Sequence, residues 1–418
     1  MGERAGRLRR VASSVVITRR GLGFVMGAVA TFIAAAALSL PALLYATGLL
    51  LGLVLLSTGF VLVGHSRVHI ERSFAPQVVA PGTLSRATIR ITNLSVLPCL
   101  EARWSDHLPH GVSGDSTGTL AALGGSRSGE SWATFSYSLQ GLRRGRHGVG
   151  PLRVDVQDPF GLVYRRHSFG SAEPLTVLPR RVDLPPISPR GTSDDGATRP
   201  APQNVGVGDD DIIARTYLPG DALKRIHWKA TAHRAELMVR QEEQQVTPRA
   251  VVILDAEPSS QGTARDRKNS WEHSTAFEWA VVATASITAH LVRAGYVVAL
   301  QSNGSAVDRL VAESQDSLED AMVDLAEVEP EPHDRVGRYE ADGAAFIVLG
   351  RLTSERAQHW VAALSTSRTV LALVARGSST QALDVLDAAR WNVVAWSPGD
   401  DLTDAWSRFD GEPAGAAR

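Results

Sequence analysis

Cysteine, lysine and, across one long stretch, charge itself are scarce in this chain of 418 residues. Cysteine occurs once, as Cys99, so no intrachain disulfide can staple the fold, which fits a reducing compartment. Cys99 follows Pro98 in an apolar segment with no evident histidine partner, which reads as an inert thiol. Lysine occurs only as Lys224, Lys229 and Lys268, and arginine supplies every other basic side chain, a bias expected of GC-rich coding. No glycine is followed by lysine, which excludes a Gly-x4-Gly-Lys-Ser/Thr phosphate loop, and no His-Glu-x-x-His pair exists. The formal net charge of −1 argues against a general nucleic-acid binder.

Charge is absent from Gly21 to Gly64. Residues 1–20 carry Arg4, Arg7, Arg9, Arg10, Arg19 and Arg20 against Glu3 alone. About 20 helical residues cross a bilayer core, so the uncharged run is too long for one span. Pro41 divides it into an alanine-rich half and a half, Ala42–Val63, with nine leucines. Two helices joined by a tight turn near Ser39–Pro41 are expected. Arginines before the first span, with Arg67 and Arg72 after the second, place both flanks in the cytoplasm by the positive-inside rule. One long kinked span is the competing reading; it would put the rest of the chain outside.

Residues 66–180 alternate apolar and polar in short runs, as at Thr88–Ile91, Trp132–Tyr137 and Leu152–Val156, with Gly, Pro, Ser and Asn between them. That spacing predicts a small antiparallel sandwich. Arg143, Arg144, Arg146 and His147 form a basic turn. It reads as a solvated loop, or as a docking surface for an acidic partner or anionic headgroups. Asp158–Leu162, "DPFGL", has tight-turn chemistry: Pro159 presets φ, Gly161 permits positive φ, and Asp158 can bond the backbone two residues on. His107 and His110 share a loop, a weak basis for a metal site.

Residues 181–208 are rich in Pro, Gly, Ser and Asp and read as a mobile linker. The block that follows, 209–245, packs Arg215, Tyr217, Gly220, Asp221, Arg225, His227, Trp228 and Lys229 into a few turns of chain. It can be a structural clasp, a surface for partner recognition through those residues, or a catalytic site with Asp221, His227 and Lys229 as acid–base groups. "RTYLPGDALKRIHWKATAHRAELMVRQEE" and, upstream, "RRGRHGVGPLRVDVQDPFGLVYRR" resemble the two motifs of the domain of unknown function 58 family, and the order of elements along the chain is similar to that family. The resemblance implies a membrane-associated bacterial protein whose genes lie beside MoxR-type AAA+ ATPases and transglutaminase-like proteins.

From Arg249 onward, apolar strand-like runs alternate with helical periods. The runs are Ala250–Leu254, Tyr296–Leu300, Ala344–Gly350, Thr369–Ala375 and Trp391–Trp396. The helices are predicted at 274–294, 316–328, 353–365 and 379–389. This predicts a mostly parallel sheet with helices on both faces. Residues 246–400 resemble the von Willebrand factor type A fold. That resemblance implies a metal loop of Asp-x-Ser-x-Ser form after the first strand. Here the loop reads Asp255, Glu257, Ser259, a degenerate candidate, and Gly350–Arg351 stands where a later aspartate is expected. Asp255 can instead cap the next element or pair with an arginine.

The expected architecture is multi-domain: a basic N-terminus (1–20), two transmembrane helices (21–64), a β-sandwich-like domain (66–180), the linker, the signature block, the α/β domain, and a C-terminal tail (401–418). The function expected is a non-enzymatic, multi-pass plasma-membrane adaptor with cytoplasmic domains, touching the lipid bilayer and a MoxR-type AAA+ ATPase, and no nucleic acid, in assembly or maturation of envelope or secreted complexes. No catalytic residue and no cofactor is assigned, Mg²⁺ at the degenerate loop being the one candidate. The rival readings are an enzyme of cell-envelope metabolism and a divalent-cation-dependent adhesion module.

Overall fold

The computed structural model describes residues 14–410 except 64–67, 97, 100, 188–212, 218–225, 227, 235, 242–247, 263–273, 304–306, 312–313, 333–336, 338 and 340–342. The chain forms two compact units, Met1–Arg180 with Met322–Val328, and Arg181–Ala321 with Glu329–Arg418.

The first unit opens on strand β1 (Ser14–Ile17) and two helices, α1 (Arg19–Leu38) and α2 (Ala42–Val63). Both helices are long and apolar enough to cross a membrane. Thr18 caps α1 by accepting from Gly21 N–H, and Ser39 ends it in the left-handed region at φ 51°. The hairpin is built inside out. Small Gly21, Ala28 and Ala35, seven residues apart, are buried, while Leu22, Met26, Phe32 and Ile33 face outward. Thr47, Val54 and Val61 repeat the same spacing in α2 and are buried too. The Thr31 and Thr47 hydroxyls bond at 2.9 Å. Small residues and hydroxyls at the contact, with large apolar side chains outside, are what helices sharing a lipid solvent require.

The strands that follow are β2 (Val68–Ala75), β3 (Val78–Val79), β4 (Leu84–Asn93), β5 (Ala102–Asp106), β6 (Val112–Gly114), β7 (Thr117–Leu120), β8 (Trp132–Gly141), β9 (Gly145–Val149), β10 (Leu152–Gln157), β11 (Val163–Phe169) and β12 (Glu173–Val177). They form sheets of order β1-β11-β10-β5-β7, β2-β4-β8-β6 and β3-β12-β9. Every pairing is antiparallel except β3 with β12. The alternation of β4 puts Ala87, Ile89 and Ile91 inside at zero exposure, against Leu139 and Leu152. His107 and His110 are exposed, and Cys99 is half-buried against this core.

Two sequence motifs find their purpose here. The 158–162 turn is a seat for the helical hairpin. Asp158 accepts from Phe160 N–H (2.9 Å) and Val163 N–H (2.7 Å), and Gly161 takes φ 72°. Thr18 donates its hydroxyl to Gly161 O (2.7 Å) and its N–H to Leu162 O (2.9 Å). Leu162 and Val163 pack with Val54 of α2. A Cβ at Gly21 would collide with the Leu162 carbonyl, so this entry to α1 needs glycine. Burial acts to raise the Asp158 pKa, but the N–H groups it accepts from hold it below the ordinary carboxylate value. In the basic turn, Arg144 donates to the carbonyls of Leu325 (3.0 Å), Ala326 (3.3 Å) and Val328 (2.8 Å), residues of this same unit. His147 Nε2 bonds Arg143 O at 2.7 Å.

Arg72 corrects the reading of the membrane flank. Its side chain is 2% exposed and reaches Asp106, so it points into the sandwich and is no headgroup-facing charge.

The second unit carries β13 (Ile213–Thr216), α3 (Trp228–Arg234), β14 (Met238–Gln241), β15 (Arg249–Leu254), α4 (Pro258–Gln261), α5 (Thr275–Arg293), β16 (Val297–Ser302), β17 (Asp308–Val311), α6 (Gln315–Glu327, its last turns in the first unit), β18 (Ala344–Leu349), α7 (Ser354–Ala363), β19 (Thr369–Ala375), α8 (Thr380–Ala388), β20 (Asn392–Trp396) and α9 (Leu402–Ser407). The main sheet runs β17-β16-β15-β18-β19-β20, parallel except for edge strand β17. Helix α5 is also long and apolar enough to span a membrane, but thirteen of its residues are buried in this unit, so its apolar surface is already covered.

Two expectations change. Residues 181–187 are no free linker: Leu184 is buried, Val182 N–H donates to Ser286 Oγ (3.0 Å) and Trp406 Nε1 donates to Pro185 O (2.9 Å). The rest of the expected linker lies outside the described residues. Residues 401–410 are no tail either: Trp406 and Phe409 are buried at 0% and 2% exposure, and Asp401 caps α9. Their aromatic side chains gain more from burial than a free end would gain in entropy.

His290, in the last turn of α5, lies edge-on to Trp406 at 5.5 Å. Burial, then the charge of Arg293, lowers its pKa below the ordinary imidazole value. The unfolded chain therefore takes up a proton that the folded chain refuses as pH falls below about 6.5. Stability of this unit is expected to be fully present well above that pH and to fall progressively as pH drops through and below it. Urea denaturation of the full chain in detergent should show the drop, and His290→Gln should flatten it.

Candidate functional site

The signature block is built around a two-stranded ladder. β13 pairs antiparallel with β14, Arg215 opposite Val239 and Thr216 opposite Met238. Tyr217 N–H donates to Leu237 O (2.7 Å), Ile226 bridges Val239, and Met238 N–H donates to Thr231 Oγ1 (3.0 Å), tying α3 to the ladder. Met238 and Val239 are buried. Of the residues picked out in the sequence, Arg215 lies on β13, Tyr217 follows it half-buried, and Trp228 and Lys229 open α3. Gly220, Asp221, Arg225 and His227 lie outside the described residues. Trp228 stands 69% exposed, an unusual position for so large an apolar surface.

A second constellation sits at the carboxyl ends of β15 and β18. The chain runs from β15 outward through β16 and edge strand β17 and then returns at β18, on the other side of β15, so these two ends form the switch point where ligands bind in open α/β sheets. Asp255 follows β15 directly, and its side chain is wholly buried. Oδ1 accepts from Asn303 Nδ2 (2.7 Å), Arg356 Nη2 (3.1 Å) and Glu257 N–H (3.3 Å). Oδ2 accepts from Ser260 Oγ (2.6 Å) and Gly350 N–H (3.4 Å). Glu257 lies 3.7 Å from the same guanidinium and accepts from Ser259 Oγ at 3.1 Å. Gly350 is glycine for a spatial reason: a Cβ there would collide with the Ser260 carbonyl, to which Arg351 N–H donates (2.7 Å).

The structure thus brings Asp255, Glu257 and Ser259 together, but around an arginine. Arg356 Nη2 lies against both carboxylates, and a divalent cation beside a fixed guanidinium faces like-charge repulsion. The residues present do not fit such an ion. Ser260, rather than Ser259, is the serine that bonds Asp255. Asn303, Ser260 and Arg356 are absent from the reading of the sequence. Arg356 sits in the first turn of α7, two residues after the Ser354 that opens it, where a single charged residue on an exposed-looking helix carries no signal of its target.

The carboxyl ends of β18, β19 and β20 border a cleft of about 550 Å³ whose lining includes Arg351, Arg376, Gln261, Trp396 and the first residues of α5. The sequence holds one further catalytic spelling: Gly114–Gly118 reads Gly-Asp-Ser-Thr-Gly, the letters of a nucleophile elbow. It joins β6 to β7, with no strand-to-helix turn to expose Ser116, so the letters lack the geometry.

Residues 213–385 match the family described as "Protein of unknown function DUF58". The chain is 26% identical over 171 residues to "Uncharacterized protein YeaD" of Bacillus subtilis (strain 168), covering 41% of this chain and 39% of that one; it thus spans about two fifths of that relative. Among solved structures, the CARDB domain of the PF1109 protein from Pyrococcus furiosus aligns at 13% identity over 27% of this chain and 93% of its own, with a TM-score of 0.19. The GAE domain of GGA2p from Saccharomyces cerevisiae aligns at 14% over 27% and 95%, with a TM-score of 0.18.

Proposed function

We propose that this chain is a membrane-anchored, non-enzymatic adaptor that recruits a MoxR-type AAA+ ATPase to the cytoplasmic face of the plasma membrane, for assembly or maturation of envelope or secreted complexes. One observation supports the non-enzymatic part at the switch point, where ligands of such sheets bind: its carboxylate, Asp255, is buried and spent on Arg356, Asn303 and Ser260. A carboxylate so saturated has no lone pair left to move a proton or hold a catalytic ion. The six-stranded sheet with one antiparallel edge supports the von Willebrand factor type A reading, and exposed Trp228 gives a partner an aromatic anchor.

The anchor follows from α1 and α2. β1 enters the hairpin and pairs with β11; α2 leaves it beside the same strand, with Arg165 Nη1 donating to Leu62 O (3.3 Å). A ladder between β1 and β11 cannot form through lipid, which favours two crossings over one.

Affinity purification of the full chain from membranes, with ATP, ADP and no nucleotide, is expected to recover an AAA+ ATPase, and Trp228→Ala to lose it. Recovery of no ATPase in any nucleotide state sinks the recruiting role. Reporter fusions at residue 68 and at the C-terminus are expected to report the cytoplasm at both sites, and an external signal at either overturns the topology.

A further inference from the structure

The cleft above β18, β19 and β20 carries chemistry that the adaptor reading does not use. Arg351 follows β18 by two residues, and Arg376 follows β19 directly. Both are exposed and both line the cleft. The Arg351 guanidinium makes no ion pair among the described residues, and Arg376 reaches only Asp400, at 3.9 Å. Among the described residues, no carboxylate lines the cleft. The opposite wall is the start of α5. Ser274 caps it by accepting from Phe277 N–H, which leaves the N–H groups of Thr275 and Ala276, both lining the cleft, without a partner inside the helix. They add the positive end of a 19-residue helix to the two guanidiniums. Gln261 also lines the cleft, at 1% exposure. Its Nε2 donates to Asp255 O (2.6 Å), and its Oε1 has no hydrogen-bond partner among the described residues.

Two planar cations, of which only Arg376 has a carboxylate near it among the described residues (Asp400, at 3.9 Å), and two orphan N–H donors match the charge and the acceptor count of a phosphate dianion better than those of a single carboxylate. The volume is that of a small-molecule site. The unmet Gln261 acceptor calls for a donor on the same ligand. We propose that this cleft binds a small phosphomonoester bearing a hydroxyl group, its phosphoryl oxygens held by Arg351, Arg376 and the α5 N-terminus, its hydroxyl satisfying Gln261. This binding does not rest on the partner surface at Trp228, and neither depends on the other.

Calorimetric titration of the full chain in detergent and a phosphate-free buffer tests this. The probes are inorganic phosphate, glycerol 3-phosphate, acetate and an oligo-glutamate peptide. Saturable binding of both phosphates is expected, glycerol 3-phosphate the tighter, with acetate and peptide silent. Arg351→Gln and Arg376→Gln should each weaken binding about tenfold or more, the loss of one charge-assisted pair. Both side chains are exposed, so thermal unfolding of the variants should match the parent and separate lost binding from lost fold. No heat with either phosphate at millimolar concentration overturns the site, as does binding that survives the double variant. Arginine-dependent binding of the peptide without binding of phosphate also overturns it, in favour of a protein carboxylate as the occupant.

Discussion

Asp255→Ala is expected to destabilise the α/β unit by about 3–5 kcal/mol, the scale for removing one member of a buried ion pair. For a unit of this size that is a fall of about 10 °C in Tm, readable by calorimetry on the full chain in detergent. The cause is specific: Arg356, Asn303 and Ser260 all donate to that one carboxylate; without it Arg356 keeps only Glu257, at 3.7 Å, Asn303 Nδ2 loses its acceptor, and Ser260 keeps only the Glu257 carbonyl. Asp255→Asn should cost nearly as much, because an amide offers one acceptor oxygen where the carboxylate uses two, and sets an NH₂ group against the donors on the other side. Arg356→Met leaves the buried carboxylate without its cation and should also destabilise. Mg²⁺ should leave the Tm of the parent chain unchanged. A Mg²⁺-dependent rise would mean that the guanidinium yields its place to an ion, and would revive the adhesion-module reading. A destabilisation below about 1 kcal/mol for Asp255→Ala would mean that water replaces the network at little cost.

How far such features can be read from sequence depends on whether the signal is local. The helical hairpin was legible almost to the residue, because an uncharged run interrupted by one proline admits few folds in lipid. The α/β strands were legible for a similar reason: "VVIL", "FIVL" and "VLALV" are continuous apolar runs that only a strand covered on both faces can hide. What stayed hidden was long-range. Arg356 meets Asp255 across 101 residues of chain, and nothing within either segment names the other. The 158–162 motif was recognised as a turn, but not as the seat of Thr18 and Gly21, since its partners are also more than a hundred residues away. Arg72 is different, because its signal was present. Val68, Ile70, Arg72 and Phe74 share one face of β2 by the period of two, so the alternation already placed that arginine inward, where a count of flanking charges placed it at the membrane.

The consequence for Arg72 is the second large effect. Its Nη2 and Nε bond both oxygens of Asp106 (2.7 and 3.2 Å), and its Nη1 donates to Val149 O and Ser171 O. Tyr137 donates its hydroxyl to Asp106 as well. Burial, reinforced by that bond, pushes the Tyr137 phenol far above its ordinary range and keeps it a donor. Arg72 and Tyr137 stand on the β2-β4-β8-β6 sheet and Asp106 on the β1-β11-β10-β5-β7 sheet, so the three side chains pin these two sheets to one register beside a mainly apolar core. Asp106→Ala is expected to cost about 3–5 kcal/mol because it strands a guanidinium with 2% exposure. Tyr137→Phe, which removes one hydrogen bond to a charge, should cost about 1.5–3 kcal/mol. The pair Arg72→Met with Asp106→Leu should be at least about 2 kcal/mol less damaging than the two single changes added together, since no charge is then left buried. Additive losses in that cycle would show that the two residues contribute through packing alone, and that the sandwich would keep its register without the pin.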